Sequence, residues 1–256
     1  MAVVIAVANQ KGGVGKTTTA VNVAAALAAA GKYVLLIDLD SQANATSGLG
    51  IDHKTIEASI YDALIGRASL RSVVQPTAYT GLKIAPAHGA LAGAQVELVE
   101  IDRREHRLYD ALVEVRNDYD VIILDCPPSL GLITVNAFTA ADVVMIPVQA
   151  EYYALEGLGQ LLETVALVKE NLNPKLEVLG AAITMFDSRV RLSQSVLEEL
   201  YKYFPNKIFR SVIPRTVRLA EAPSFGQAIS SYDPGSKAAI AYDRLAREII
   251  EALTSL

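Results

Sequence analysis

The sequence has little of the chemistry on which several classes of protein depend. Its 256 residues include no tryptophan, 6% aromatic residues and a single cysteine, Cys126. So few aromatic side chains argue against a protein that binds single-stranded nucleic acid by stacking bases. One cysteine forms neither an intramolecular disulfide nor a cysteine-only metal cluster within the chain, which fits a reducing cytosol.

Membrane segments and excess positive charge are also missing. No apolar run approaches the roughly 20 residues that span a bilayer, and the apolar start of the chain lacks the basic segment of a signal peptide. We therefore expect no membrane partner. Acidic residues outnumber basic ones by 28 to 23, a net charge of −5, which argues against a protein that coats nucleic acid through bulk positive charge. A hydrophobic content of 52% excludes a disordered chain.

Short apolar runs alternate with helical patterns along the chain. The runs are too short for core helices and too uniformly apolar for half-exposed strands, which predicts strands buried on both faces of a parallel sheet. This alternation is typical of an α/β fold with a doubly wound, mainly parallel sheet and helices on both faces, and we expect one domain over residues 1–256. The predicted strands are 3–7, 33–37, 121–124, 143–148 and 178–183, and the predicted helices lie at 16–30 and near 104–117, 156–171, 190–203 and 236–254.

A glycine-rich loop follows the first predicted strand and opens the first predicted helix. Its sequence over residues 10–18 is Q-K-G-G-V-G-K-T-T. Glycines let successive backbone N–H groups face one anion, and the helix N-terminus adds its dipole. Lys16 is expected to reach the β- and γ-phosphates of a nucleotide, and the Thr17 hydroxyl to bind Mg²⁺. The alternative, a turn with no ligand, is disfavoured by the strand–loop–helix context. The loop residues predicted to bind the nucleotide are Lys11, Gly12, Gly13, Val14, Gly15, Lys16, Thr17 and Thr18.

The loop departs from the usual G-x-x-x-x-G-K-[ST] pattern. Gln10 replaces the first glycine, and a second lysine, Lys11, follows it. This K-G-G-x-G-K-T form resembles the deviant Walker A loop of the ParA/MinD superfamily of P-loop NTPases. The resemblance implies ATP and Mg²⁺ as cofactors, and a Lys11 that crosses a dimer interface to contact the phosphates on the partner subunit. The alternatives for Lys11 are a phosphate contact within its own subunit or a position in solvent.

Two carboxylates at the end of the second predicted strand, Asp38 and Asp40, are candidates for hydrolysis chemistry. Ligands gather at the carboxyl ends of parallel strands, and alternate residues of an extended chain project the same way. We expect Asp40 to orient or activate the attacking water, and Asp38 to lie near the Mg²⁺. Asp40 thus joins Lys11 and Lys16 as a predicted catalytic residue. Alternatively the two carboxylates cap the following segment, which applies more to Asp38. Ser41 stands where the resembling family usually has proline.

A third carboxylate, Asp125, ends the apolar run 121–124 and is followed by Cys126 and two prolines. This is a Walker B pattern, and beside a phosphate loop it predicts a carboxylate that holds Mg²⁺ through water. The predicted metal residues are Thr17, Asp38 and Asp125. The prolines, which cannot continue a strand ladder, predict a stiff loop that senses the γ-phosphate, as in the resembling superfamily. Cys126 is expected to be a small core or loop residue and no nucleophile, since no histidine lies near it in sequence.

The motif N/T-K-x-D, with which P-loop GTPases read guanine, is incomplete in this chain. Residues 184–187 read T-M-F-D, so methionine occupies the lysine position and adenine is favoured. In the resembling family adenine lies between this segment and a later loop. The residues implicated in this way are Met185, Phe186, Pro214 and Arg215. The resemblance also implies that Glu151 reaches the ribose of the partner's nucleotide, with a solvated loop carboxylate as the alternative.

Basic residues are concentrated in one stretch of this acidic chain. Seven basic and three acidic residues between positions 187 and 218 give +4, so the overall −5 leaves −9 for the rest. Such a stretch is a candidate contact for the phosphate backbone of DNA, with a solvated helix face as the alternative. Similarity to the short chromosomal ParA (Soj) branch favours binding to DNA of any sequence. The residues predicted to contact DNA are Arg189, Arg191, Lys207 and Arg218.

The resemblance extends from end to end of the chain, and because the phosphate loop begins about nine residues from the N-terminus, we expect none of the extra DNA-reading domain that larger plasmid members carry. It implies a chromosome or plasmid partitioning ATPase of the bacterial cytoplasm and nucleoid. The ATP-bound sandwich homodimer would bind double-stranded DNA without sequence preference. It would release the DNA when a ParB-like centromere-binding partner stimulates hydrolysis of ATP to ADP and phosphate.

Two alternatives use the same fold. A MinD-like membrane-cycling regulator would need a basic C-terminal amphipathic helix, whereas residues 236–256 have no net charge. A metabolic ATPase is the other alternative. A relative of the nitrogenase iron protein would need two cluster cysteines, and an ATP-dependent ligase would leave Lys11 and the basic stretch without a role.

Overall fold

The computed structural model describes residues 1–151, 156–187, 189–190, 200–202 and 204–254. Over these residues eight strands form one sheet in the order β3-β4-β2-β5-β1-β6-β7-β8. Neighbouring strands are parallel except β3 and β4, which confirms the predicted mainly parallel sheet. The strands are β1 Val3–Val7, β2 Val34–Asp38, β3 Gln75–Pro76, β4 Leu82–Ala85, β5 Val121–Asp125, β6 Val143–Gln149, β7 Glu177–Phe186 and β8 Ile208–Pro214.

Helices cover both faces of the sheet and bury one apolar cluster on each side. On one face the cluster includes residues of helices Lys16–Ala29 and Lys237–Thr254, and on the other face it includes residues of helices Leu91–Glu97, Leu132–Ala140 and Glu156–Asn171. The α-helices are α1 Lys16–Ala29, α2 Asn44–Gly48, α3 Ile60–Ile65, α4 Leu70–Val73, α5 Leu91–Glu97, α6 Arg107–Leu112, α7 Leu132–Ala140, α8 Glu156–Asn171, α9 Val217–Glu221, α10 Ile229–Tyr232 and α11 Lys237–Thr254. Short 3₁₀ turns lie at Leu98–Glu100, Arg104–His106, Arg116–Asp118 and Ala222–Phe225.

The central strands bring the candidate site together. Every residue of β2, β5 and β6 is buried, as expected for strands covered on both faces. Val7 at the end of β1 and Asp38 at the end of β2 both stand in register with Asp125 at the end of β5. The phosphate loop, which follows β1, and the two carboxylates therefore share one edge of the sheet.

Several elements differ from the sequence prediction. Strands β3, β4 and β8 were not predicted, because β8 alternates between buried and exposed residues and β4 spans four residues, so neither is a continuous apolar run. The predicted helix near 104–117 is a 3₁₀ turn, α6 and a second 3₁₀ turn. Most of the predicted helix near 190–203 lies outside the described residues. None of the described helices is long and apolar enough to cross a membrane.

Candidate nucleotide site and basic surface

The phosphate loop leaves backbone donors free at the start of α1. Gly13 and Gly15 have φ angles of 75° and 85°, left-handed conformations that glycine adopts without strain. Gly15 is the N-cap of α1, and no side chain caps that end. The first N–H groups of α1 therefore stay available for an anion such as a phosphate.

Two polar side chains that the sequence analysis did not single out hold this loop in place. The Asn9 amide donates to the Pro147 carbonyl oxygen at 2.8 Å, and its Oδ1 accepts the backbone N–H of Lys11 at 3.0 Å. The Thr184 hydroxyl donates to the Val14 carbonyl oxygen at 2.8 Å. Asn9 lies just beyond the carboxyl end of β1 and Thr184 just before that of β7, and a polar residue near a strand end is the sequence signal that could have identified them.

The two lysines of the loop have different surroundings. Lys16 is 7% exposed, and its Nζ donates to the Lys11 carbonyl oxygen at 3.0 Å. Burial lowers the pKa of Lys16, while the nearby charges of Asp125 and Asp40 act to raise it. Lys11 is half-buried, and its side chain has no hydrogen bond or ion pair within the described part of the chain. Lys16 therefore points to the loop's own anion site, while Lys11 stays available for a contact elsewhere.

Asp38 is occupied by its own chain. Its Oδ1 accepts the N–H of Asp40 at 3.1 Å, and its Oδ2 accepts both the N–H and the hydroxyl of Thr46 at 2.9 and 2.7 Å. Burial raises the pKa of Asp38 to about 6 against these hydrogen bonds. This geometry agrees with the alternative in which Asp38 caps the segment that follows it, because its hydrogen bonds hold the loop between β2 and α2.

Asp125 has the opposite environment. It is fully buried, and neither carboxylate oxygen has a hydrogen-bond partner among the described residues. Burial raises its pKa well above the ordinary value and the charge of Asp38 adds to the effect, while the nearby Thr17 hydroxyl acts to lower it. A buried, unpartnered carboxylate needs a cation to offset its desolvation. Oxygen donors on Asp125 and Thr17 fit Mg²⁺.

Asp40 lies where the chain turns away from the sheet. Its Oδ1 accepts the N–H of Gln42 at 3.0 Å, and its backbone carbonyl accepts the N–H of Ala43, which is left-handed with φ 53°. Its Oδ2 makes no hydrogen bond to the described residues. Ser41, in the position of the family's proline, leaves this turn intact.

A cavity of about 270 Å³ adjoins the phosphate loop at Gly15 and Thr18. Met185, Pro214 and Arg215, three of the residues predicted to contact adenine, line it. Phe186 does not, because its side chain packs into the core. The Phe186 carbonyl oxygen instead accepts the N–H of Arg215 at 3.1 Å and so fixes the cavity wall.

Glu151 lies near this cavity but does not line it. Its Oε1 accepts the Gln149 side-chain amide at 2.7 Å and lies 3.7 Å from Nη2 of Arg215. Both contacts are within the chain. Whether Glu151 reaches the ribose of a partner's nucleotide stays a prediction.

Arg189 and Arg218 follow the carboxyl ends of neighbouring strands. Arg189 donates through Nε and Nη2 to both oxygens of Asp187, at 2.9 and 2.7 Å, which holds the pKa of Asp187 at about 2. Arg218 lies 3.1 Å from Glu221 and 3.6 Å from Asp233. Both arginines are exposed on the nucleotide edge of the sheet.

The other two predicted DNA residues are not placed beside them. Lys207 comes just before β8, at the amino ends of the parallel strands. It lies roughly 20 Å along the strand from the carboxyl ends, where the nucleotide site is. Its Nζ donates to the Val178 carbonyl oxygen at 2.9 Å and lies 3.5 Å from Glu177. Arg191 lies outside the described residues.

Comparison with known proteins places these features in context. A family model described as an AAA domain matches residues 2–178. The chain is 54% identical over 249 residues to the sporulation initiation inhibitor protein Soj of Bacillus subtilis, covering 97% of this chain and 98% of that protein. It is 52% identical over 248 residues to the chromosome partitioning protein ParA of Myxococcus xanthus, covering 97% and 88%. Among solved structures, cobyrinic acid a,c-diamide synthase from Mycobacterium smegmatis with bound ADP and magnesium superposes with a TM-score of 0.88 at 39% identity, covering 100% of this chain and 96% of that chain.

Proposed function

The chain belongs to the ParA/MinD superfamily of P-loop ATPases, in its Soj-like chromosome-partitioning branch, and we propose that its ATP-bound dimer binds DNA of any sequence and releases it on hydrolysis. ATP and Mg²⁺ are its cofactors. One observation carries the proposal. Strands β7 and β8, whose ends line the cavity beside the phosphate loop, are followed in the chain by Arg189 and Arg218. A nucleotide in the site thus lies beside the surface that would meet DNA.

In the proposed hydrolysis site, each residue has a role that its surroundings support. Lys16 and the N–H groups of α1 would bind the phosphates, and Asp125 with Thr17 would hold Mg²⁺, which would supply positive charge to the transferred phosphoryl group. Asp40 orients the attacking water through the oxygen that it does not use locally. Asp38 keeps the Asp40 loop in position through Thr46.

Dimerisation would follow from Lys11. Its side chain has no hydrogen bond or ion pair with the described residues, although it lies in a loop whose backbone is pinned on both sides. We propose that Lys11 contacts the phosphates of the ATP held by a second subunit. ATP would then join two subunits face to face.

The DNA contact would come from Arg189 and Arg218 of both subunits. Two exposed arginines bind a DNA backbone weakly, whereas a dimer presents four on one assembly and gains from their effective concentration. Lys207 is left out of this surface because it lies at the other end of the sheet. A ParB-like partner would stimulate hydrolysis, which would separate the two subunits and release the DNA. We propose that this cycle takes place in the bacterial cytoplasm, on the nucleoid.

Binding to plasmid DNA with no nucleotide, with ADP and with ATP tests the proposal. We expect binding with ATP alone, and a loss of affinity of about tenfold or more when salt rises from 50 to 200 mM, as for phosphate contacts. Equal binding with ADP and ATP would contradict the proposal.

A charge-reversal variant tests the arginine surface. Arg189→Glu should lose DNA binding and keep its basal ATP hydrolysis, because Arg189 lies outside the phosphate loop. Arg103→Glu is a matched control, since Arg103 is also exposed and makes a two-pronged contact through Nε and Nη2, in its case with Asp110. If Arg189→Glu binds DNA as well as Arg103→Glu does, Arg189 is a solvent-exposed residue that takes no part in DNA binding.

A second candidate function rests on the structural likeness to cobyrinic acid a,c-diamide synthase. On that hypothesis the chain would couple ATP hydrolysis to amidation of a cobyrinic acid. The higher identity to the partitioning proteins favours the first proposal. ATP turnover measured with cobyrinic acid and with DNA separates the two.

A further inference from the structure

A buried asparagine connects the phosphate-loop helix to a distant segment of the chain. Asn22 lies within α1 and is 6% exposed. Its side-chain amide donates to the Thr18 carbonyl oxygen, one turn earlier, at 2.7 Å. Its Oδ1 accepts the backbone N–H of Ile229 at 2.7 Å. Asn22 therefore ties the start of α10 directly to the helix that carries Lys16, Thr17 and Thr18.

Residues at the C-terminal end of α10 contact the side chain of Arg218, which belongs to α9. Tyr232 is the last residue of α10, and its ring centroid lies 6.0 Å from the Arg218 guanidinium carbon, within reach of a cation–π interaction. The Tyr232 hydroxyl donates to Oε2 of Glu221 at 3.1 Å, the same oxygen that pairs with Arg218. Asp233, the next residue, lies 3.6 Å from Arg218. Three side chains thus surround one guanidinium, and two of them are positioned by α10.

The helix that carries Arg218 also reaches the nucleotide. Leu219 and Ala220 of α9, with its N-cap Thr216, line the cavity beside Gly15 and Thr18. A base in that cavity would touch α9 directly, while the phosphates would touch α1. Both ends of a bound nucleotide would therefore be linked to Arg218, the base through α9 and the phosphates through α1, Asn22 and α10.

We infer that Asn22 is a positioning residue for DNA binding, which acts by holding α10 and, through it, the Arg218 guanidinium in place. The inference deepens the proposed function and rests on it, since it concerns the same DNA surface. A guanidinium held in one place loses less conformational entropy when it meets a phosphate, and so binds it more tightly. Without the Asn22 side chain, the Ile229 N–H loses its partner, and α10 keeps only apolar packing against α1.

The chain contains a matched control for the general cost of removing a buried asparagine. Asn136 lies within α7 and is 1% exposed. Its side-chain amide donates to the carbonyl oxygen one turn earlier, that of Leu132, at 3.0 Å, and its Oδ1 accepts the N–H of Leu108 at 3.1 Å. These two bonds repeat those of Asn22, but they lead to α6 on the other face of the sheet, and the Asn136 amide makes one further hydrogen bond, to the Arg104 carbonyl oxygen at 2.7 Å. Asn136→Ala should thus reproduce the loss of stability without touching Arg218.

The experiment measures DNA binding with ATP over a range of salt concentrations for the wild type and for Asn22→Ala, Asn136→Ala and Arg218→Ala. Asn22→Ala should weaken binding about threefold to tenfold and flatten the slope of log K against log salt by about one to two, as expected when the Arg218 contacts of both subunits weaken. Its KM for ATP should stay within about twofold of the wild type, since Asn22 belongs neither to the phosphate loop nor to the lining of the cavity beside Gly15. Asn136→Ala should leave the slope unchanged.

The double variant Asn22→Ala/Arg218→Ala completes a mutant cycle. If Asn22 acts through Arg218, the double variant binds no more weakly than Arg218→Ala alone. Additive effects would overturn the inference, and so would an Asn22→Ala slope equal to that of Asn136→Ala. Should Asn22→Ala fail to fold, Tyr232→Ala replaces it under the same criteria. A wild type that does not bind DNA with ATP overturns the proposed function and the inference together, whereas a binding wild type with an unchanged Asn22→Ala slope overturns the inference alone.

Discussion

The carboxylates on the nucleotide edge are distinguished by their partners. Asp38 and Asp125 are both fully buried and stand side by side in register, yet Asp38 is satisfied by Thr46 whereas Asp125 has no partner among the described residues. Their spacing in the sequence predicts a shared edge of the sheet but not this division. The Thr46 N–H and hydroxyl reach Asp38 because of the path that the loop takes after β2, and the pattern of apolar residues in the strands does not specify that path.

Asp40→Ala should separate ATP binding from hydrolysis. We expect the variant to bind ATP and DNA and to lose hydrolysis by about a hundredfold, because the water would lose the group that orients it. Single-turnover hydrolysis and retention on DNA are the measurements. Asp52→Ala is the matched control, since Asp52 also accepts the N–H two residues later, that of Lys54, at 3.0 Å. Normal turnover in Asp40→Ala would remove Asp40 from this role.

Cys126 should be unreactive in the folded protein. It is 1% exposed, and burial raises the pKa of its thiol, so the reactive thiolate is scarce. A disulfide reagent at pH 8 should modify it more than about a hundredfold more slowly in the native protein than in denaturant. Absorbance of the released thiolate follows the reaction, and the unfolded chain is the control because it contains no other cysteine. Fast native labelling would contradict the buried position.

At the scale of elements, the central strands were predictable and the outer ones were not. The strands around β1 are buried on both faces and form continuous apolar runs. In β8 only alternate residues are buried, and this edge strand is stabilised by the Glu248 carboxylate, which accepts the N–H groups of Arg210 and Ser211 at 2.7 and 2.9 Å. A partner 37 positions away carries no local sequence signal.

Gly226→Ala should destabilise the junction between α2 and the segment that precedes α10. Gly226 has φ 65°, and a Cβ there would lie 2.5 Å from Cα and 3.0 Å from the backbone nitrogen of Gly50. Two backbones meet at that point, so relief requires the loops to move. We expect a loss of about 2–4 kcal/mol, seen as a fall in Tm of about 5–15 °C.

Gly235→Ala is the control for this substitution. A Cβ at Gly235 would meet no atom within 4 Å, and its backbone φ is not in the left-handed region. Its free energy of unfolding should change by less than about 0.5 kcal/mol. Thermal unfolding of both variants measures the difference, and equal Tm values would show that the loops yield without cost.

For the molecule as a whole, the sequence predicts where chemistry gathers better than how it is held. The phosphate loop, Asp125 and the cavity residue Met185 follow from motifs at strand ends, because a parallel sheet brings those ends together. Asn9, Thr184 and Asn22, which hold these parts, bond to groups more than a hundred positions away. Lys207 shows the same limit, since it belongs to the basic stretch in sequence but lies at the amino end of β8, far from the nucleotide site.

Dimer assembly can be tested through Lys11, because we propose that this lysine contacts the ATP held by the other subunit. Lys11→Ala should bind ATP, since Lys16 and the loop backbone remain, and should stay monomeric by light scattering with a non-hydrolysable ATP analogue. Lys16→Ala should fail to bind ATP but keep Lys11. Mixed together, the two inactive variants should recover part of the ATPase activity, because the ATP on a Lys11→Ala subunit receives its second lysine from the Lys16→Ala partner. A mixture that stays inactive while Lys11→Ala dimerises with ATP would place the Lys11 contact within its own subunit.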